Sequence, residues 1–187
     1  NNSYCQDNDI SWVNWKFVEK HADLVHFCRT LIRFRRDEPT VRRPSFLKGV
    51  AEKPGTLPDV SWFSPMGQPA DWHLSDHSLT CIFGAAATRD TQLGRHVMIM
   101  FHSSGHAREF TVPEIARGIR WRKFIDTWEE PPGDIFRDAD GPLLTTRRIT
   151  MGPQSIVCYV SERVEKDTLA VDMLTTGVSN GKPTRRI

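Results

Sequence analysis

Several groups of side chains in the sequence stand at spacings that chemistry can use. Cleaving a glycosidic bond takes two carboxylates across it, about 5–5.5 Å apart when configuration is retained. Asp71 with Asp76 and Asp7 with Asp9 are candidate pairs, but both fall in turn-rich loops, where acids commonly cap backbone groups instead. His73 with His77, and His102 with His106, have the i, i+4 spacing that binds zinc from one face of a helix. Gly105 and the β-rich run before His102 argue against a helix there, and Leu74-Ser75-Asp76 is loop-like, so solvated loop histidines are expected and no metal. Cys5 has no histidine close in sequence to activate a thiolate. No dinucleotide fingerprint, phosphate loop or nucleophile elbow occurs, and no cofactor is expected.

Binding chemistry offers more. Trp12, Trp15, Trp62, Trp72, Trp121 and Trp128 could stack on the C–H face of a sugar. Trp62 and Trp121 lie in expected strands, where a core position is the better reading, while Trp72 sits in a polar loop and is open to either. Arg33-Phe34-Arg35-Arg36 and Arg42-Arg43 could touch phosphate or simply end a helix in water. The charge balance favours water: 25 Lys and Arg face 23 Asp and Glu, a net of +2. Residues 1–43 carry 8 basic and 6 acidic groups, 44–163 carry 13 and 14, and 164–187 carry 4 and 3, so no basic arm emerges and no nucleic-acid partner is expected.

The elements that must position these groups fall into three zones. In residues 1–43, a polar, turn-rich start is followed by Leu24, Phe27, Cys28, Leu31, Ile32 and Phe34 at helical spacing. That pattern predicts one amphipathic helix from His21 to Arg36, with Arg35 and Arg36 suiting its C-terminal dipole and Pro39 beyond its end. In residues 44–163, short β-rich runs alternate with Pro- and Gly-rich turns: Val60–Phe63, Leu79–Phe83, Val97–Phe101, Glu109–Val112, Ile119–Ile125, Leu143–Ile149 and Ser155–Val160. About eight strands at such spacing predict a mainly β, antiparallel sandwich. Residues 164–187 read as a polar tail with a helical turn near Leu169–Leu174.

Size and composition bound the rest. The 39% apolar content and the ten Phe and six Trp exclude global disorder. At 187 residues the chain is too short for a complete (β/α)₈ barrel, which takes about 250 residues. No run of about 18 apolar residues predicts a membrane span. Four scattered cysteines are too few for a disulfide scaffold, so reduced thiols in a cytoplasmic protein are expected. The N-terminus lacks a Met and a signal-type apolar core, and reads as the middle of a longer chain.

One long segment adds a resemblance. Asn1-Asn2-Ser3-Tyr4-Cys5-Gln6-Asp7-Asn8-Asp9-Ile10-Ser11-Trp12 resembles the run that follows barrel strand 8 in bacterial glycogen debranching enzymes of the isoamylase type, in the α-amylase superfamily. Leu31-Ile32-Arg33-Phe34-Arg35-Arg36 with Pro39 resembles the last barrel helix of that family. Asp59-Val60-Ser61-Trp62-Phe63-Ser64-Pro65-Met66-Gly67 resembles the turn that opens its C-terminal β domain, and Asp71-Trp72 and Phe124-Ile125-Asp126-Thr127 also fit. The likeness spans residues 1–162. Phe83-Gly84-Ala85 and Phe101-His102-Ser103-Ser104 depart from the family's usual turns.

The resemblance implies loop 8 and helix 8 of a truncated (β/α)₈ barrel in residues 1–43, a C-terminal β-sandwich domain in 44–163, and a missing catalytic barrel as partner. It implies hydrolysis of α-1,6 branch linkages in glycogen or limit dextrin by acids that lie upstream, so no residue here is assigned a catalytic role. Tyr4, Gln6, Asp7 and Asn8 would border the branched α-glucan cleft, with Asp7 and Asn8 equally suited to capping turns. The other readings are an autonomous carbohydrate-binding module using Trp72 or Trp128, and an interaction fragment docking through the stripe of helix 21–36.

Overall fold

The computed structural model describes residues 4–51, 55–74, 76–86 and 94–163. The tail expected at 164–187 lies outside the described residues. In chain order the elements are α1 (Phe17–Lys20), α2 (Ala22–Asp37), β1 (Ser61–Phe63), β2 (Ser78–Phe83), β3 (Val97–His102), β4 (Arg108–Thr111), β5 (Trp121–Asp126), β6 (Arg148–Met151) and β7 (Ser155–Ser161). Three short 3₁₀ turns, at Pro39–Arg42, Glu114–Ala116 and Arg137–Ala139, join them.

The unbroken apolar run Val97–Phe101 becomes β3, the central strand of a five-stranded antiparallel sheet ordered β1-β2-β3-β7-β5. A strand with solvent on one side alternates apolar and polar residues; this one does not, because both of its faces are covered. On one face Met98 and Met100 pack with Ile82, Val157 and Tyr159 against Phe110, Ile149 and Met151, which come from the two-stranded sheet β4-β6. On the other face Val97, Ile99, Cys158 and Val160 meet Phe27, Leu31 and Phe34 of α2. The order is therefore helix, large sheet, small sheet. Each fully buried Phe or Met contributes about 1.5–3 kcal/mol of transfer free energy, and Phe110, Met98, Met100 and Met151 show no exposed surface.

A bulge fits β5 to the helix. Pairing with β7 runs Lys123↔Tyr159 and then Ile125↔Cys158, leaving Phe124 as the extra residue. Phe124 and Ile125 can then both join the helix-side cluster. Phe124 stacks at 4.3 Å between ring centroids on Phe34, and the Arg95 guanidinium lies 5.6 Å from the Phe34 ring centre. The end of α2 is fixed by Glu38, which is buried. Its Oε1 accepts from the Arg95 backbone N–H at 2.9 Å and the Thr40 N–H at 3.3 Å, and its Oε2 accepts from Arg95 Nε at 3.0 Å. A side chain at Gly94 would collide with Thr40 Oγ1 and Glu38 Oε1, so only glycine lets the loop before β3 approach this closely.

Two strand expectations shift. The expected run Leu143–Ile149 divides its service: Leu143 bridges Arg122 beside β5, and β6 begins only at Arg148 in the small sheet. The run expected from Ile119 pairs from Trp121 onward, while Ile119 packs loosely on the inter-sheet core. Seven strands form among the described residues, where about eight were expected.

Candidate functional site

The loop ahead of the helix is built from short-range bonds. Asn8 anchors a turn: its carbonyl accepts from the Ser11 and Trp12 N–H groups, each at 3.0 Å, and its Oδ1 accepts from Ile10 N–H at 3.0 Å. Asn8 Nδ2 donates to Gln6 Oε1 at 3.1 Å, Ser11 Oγ donates to the Gln6 carbonyl at 2.8 Å, and Trp12 Nε1 donates to Asp7 Oδ1 at 2.8 Å. Cys5 sits at φ 59°, a left-handed conformation that costs a non-glycine residue about 1–2 kcal/mol. Tyr4 is exposed beside it. Gln6, Asp7 and Asn8 thus form one hydrogen-bonded turn, in which Asn8 caps backbone N–H groups and Asp7 holds the Trp12 indole.

This loop runs into α1 and α2 with its apolar side chains uncovered. Trp12, Val13, Phe17 and Leu24 are exposed, as are Trp15 at 76% and Ile32 at 68%. The stripe on α2 divides into two ridges. Phe27, Leu31 and Phe34 pack on the sheet; Leu24, Cys28 and Ile32, a ridge spaced i, i+4, i+8, face outward. Adjacent exposed apolar groups of this kind mark a contact surface.

The other candidates resolve one by one. Asp71 Oδ1 caps the His73 N–H at 2.9 Å, and Asp76 is clamped by both Arg108 Nη atoms at 2.6 and 3.0 Å. The Arg108 hydrogen bonds hold the Asp76 carboxyl below its ordinary range. His102 corrects the expectation of solvated histidines: it ends β3 at 3% exposure, with Nδ1 2.8 Å from Ser78 Oγ and Nε2 2.6 Å from the His106 carbonyl. His73, His77 and His106 are exposed. No group of three His, Cys, Asp or Glu among the described residues could hold a metal ion. Trp121 is buried as expected and donates Nε1–H to the Ala116 carbonyl at 3.1 Å. Trp62, also expected inside, is 39% exposed, because it lies on the edge strand beyond the reach of the helix; its partner, 5.8 Å away edge to face, is the exposed Trp72.

Glu38 escaped the sequence reading. An acid beside Asp37 at the end of a basic helix looks solvated; only the approach of Arg95, 57 residues on, shows its role. All four cysteines are free, and burial pushes the Cys81 and Cys158 thiols up to about 12. No helix among the described residues is long and apolar enough to cross a membrane.

No family model matches the chain. Among curated proteins it is similar to the glycogen operon protein GlgX homolog of Mycobacterium tuberculosis, with 32% identity over 146 residues, 72% of this chain and 20% of that protein. The glycogen debranching enzyme of Pectobacterium carotovorum is 30% identical over 117 residues, covering 61% of this chain and 15% of the relative. Isoamylase 1 of Oryza sativa chloroplasts is 28% identical over 138 residues, 74% of this chain and 15% of the relative. The chain thus spans a fifth or less of the length of these relatives. With antiparallel sheets behind a single long helix, it matches a C-terminal fragment of isoamylase-type glycogen debranching enzymes.

Proposed function

We propose that this chain completes the catalytic barrel of a glycogen debranching enzyme and borders its substrate cleft. Residues 1–43 supply loop 8 and helix 8, and residues 44–163 form the β domain that braces them. The reaction is hydrolysis of α-1,6 branch linkages in glycogen or limit dextrin, by paired carboxylates that the barrel carries and this chain does not. Tyr4 stacks on a glucose ring of the branched α-glucan, and Gln6, Asp7 and Asn8 order the loop and meet sugar hydroxyls. The four free thiols suit a reducing cytoplasm.

The observation that carries this reading is the division of α2 into two apolar ridges. One is covered by the chain's own sheet; the other, with Trp12, Trp15 and Phe17 ahead of it, is bare. A helix closing a barrel needs two such faces, one for each neighbour.

The test compares the 187-residue chain alone with the same chain joined to a barrel. The chain alone releases no reducing ends from phosphorylase-limit dextrin; the joined protein does. In the joined protein, Tyr4→Ala lowers kcat/KM on the dextrin about tenfold, about 1.4 kcal/mol of transition-state binding. Leu24→Glu with Ile32→Glu lowers the melting temperature of the joined protein and leaves that of the chain alone unchanged. Dextrin cleavage by the chain alone, lost on mutating one of its own acids, overturns the proposal.

A further inference from the structure

The flank of α2 opposite the bare ridge carries a different chemistry. At about 100° per residue, His26, Arg29, Arg33 and Asp37 lie roughly a third of a turn from the sheet-packed ridge, on the side away from Ile32. They line a concavity of about 530 Å³ whose far wall is formed by Arg95, Arg137, Asp138 and Arg163. Five guanidiniums therefore face two carboxylates in one hollow, on a chain whose net charge is only +2.

Internal pairs leave much of this charge unspent. Arg95 is held by Glu38. Arg33 is shared between Asp37 at 3.6 Å and Asp138 at 3.5 Å, and Arg137 reaches Asp138 at 3.7 Å. These contacts are long and half-exposed, the kind of pair that contributes little and yields readily to a better anion. Arg29 and Arg163 make no ion pair among the described residues.

We propose that this concavity binds a phosphate-bearing small molecule, with Arg29, Arg33 and Arg163 on the phosphate. A carboxylate would neutralise one of the surplus charges. A phosphate monoester carries about −1.5 to −2 near pH 7 and accepts the paired N–H groups of guanidinium forks. The hollow falls within the roughly 300–1,000 Å³ of metabolite pockets, so a body larger than bare phosphate fits. Phe34 gives that body an apolar wall, and Thr30, buried beneath it, also lines the hollow. The phosphate is the shared chemistry of two sources, free inorganic phosphate and a sugar phosphate.

Calorimetric titration of the 187-residue chain with inorganic phosphate, pyrophosphate and glucose 1-phosphate tests it at low and at raised salt. Saturable binding that weakens with salt is expected. Arg29→Gln and Arg163→Gln each weaken it about tenfold, as loss of one charge-assisted contact should, and both side chains lie outside the cores, so the variants fold. Arg148→Gln, in the small sheet away from the hollow, leaves affinity unchanged. Tighter binding of glucose 1-phosphate than of inorganic phosphate assigns the pocket to a sugar phosphate; equal binding assigns it to the free ion. Absence of saturable heat with all three probes overturns the site, as does equal weakening by Arg148→Gln. Either failure leaves the barrel contact standing, since that rests on the other flank of α2.

Discussion

Residues 4–20 expose every aromatic side chain they hold, whereas residues 59–162 build cores around several of theirs. The first stretch holds Tyr4, Trp12, Trp15 and Phe17, all exposed, and ties its turns with bonds between near neighbours. The second buries Phe63, Phe110, Trp121 and Phe124, leaves Trp62, Trp72 and Trp128 exposed, and ties its strands through pairings 14 or more residues apart. The difference teaches where each region's stability resides. The β region closes one core between its own sheets and the other against α2. The leading loop has shape but no core, and what would bury its rings must come from elsewhere. Helix α2 joins the two and has one ridge of each kind.

The largest test of that contrast is in the self-sufficient half. Phe110→Ala, at the contact of the two sheets, should destabilise the chain by about 3–5 kcal/mol in a denaturant titration, whereas Trp15→Ala in the leading loop should change it by less than about 0.5 kcal/mol. Comparable losses at the two sites would erase the distinction.

Next comes the latch that holds the helix to the sheet. Glu38→Ala strands the mostly buried Arg95 guanidinium and should cost about 3 kcal/mol; hydrogen exchange should then quicken in α2 before it does in β3. Smaller still is the split within α2. Leu31→Ala should cost about 2 kcal/mol and Ile32→Ala less than about 0.5 kcal/mol, although the two are neighbours in sequence. Equal costs would mean that the stripe is not divided.

The mildest perturbation is by acid, at the entrance to the β region. Burial alone would raise the Asp59 carboxyl, but the N–H groups of Lys48, Gly49 and Val60, at 2.7–2.8 Å, hold it below its ordinary value of 3.8. A carboxyl whose pKa is lower folded than unfolded stabilises the protein above its unfolded value, and that stability is lost as pH falls through the folded one. Asp59→Asn should therefore flatten the acid limb below about pH 4, with little change in the shape of the stability curve near neutrality.

Much of this was legible in the residues. The helix expected from His21 to Arg36 forms from Ala22 to Asp37, and the strands expected at Val97–Phe101 and Ser155–Val160 form as Val97–His102 and Ser155–Ser161. What stayed hidden depended on distant partners. The bulge at Phe124 breaks the alternation that the pattern at Trp121 began, and nothing local to Glu38 announces Arg95. Trp62 looked like core because β propensity says nothing of whether a strand lies at the edge or in the middle. Of the loop residues singled out, Gln6, Asp7 and Asn8 share one hydrogen-bonded turn; the sugar they would meet is a matter for the joined protein.

The doubly covered sheet has one more consequence. Where a sheet is wet on one side, sliding a strand by one residue throws its greasy positions into water, and that penalty polices alignment. In β3 and β7 such a slide would merely trade one greasy set for the other. Alignment must then be enforced at the rim, by the row Ser78, His102 and Ser155, where the imidazole meets the serine hydroxyl across the strands. That row acts as a peg in a rail otherwise free to shift by one notch, so exchanging His102 for an apolar residue of similar size should yield a protein that still collapses but threads its central strands in more than one way.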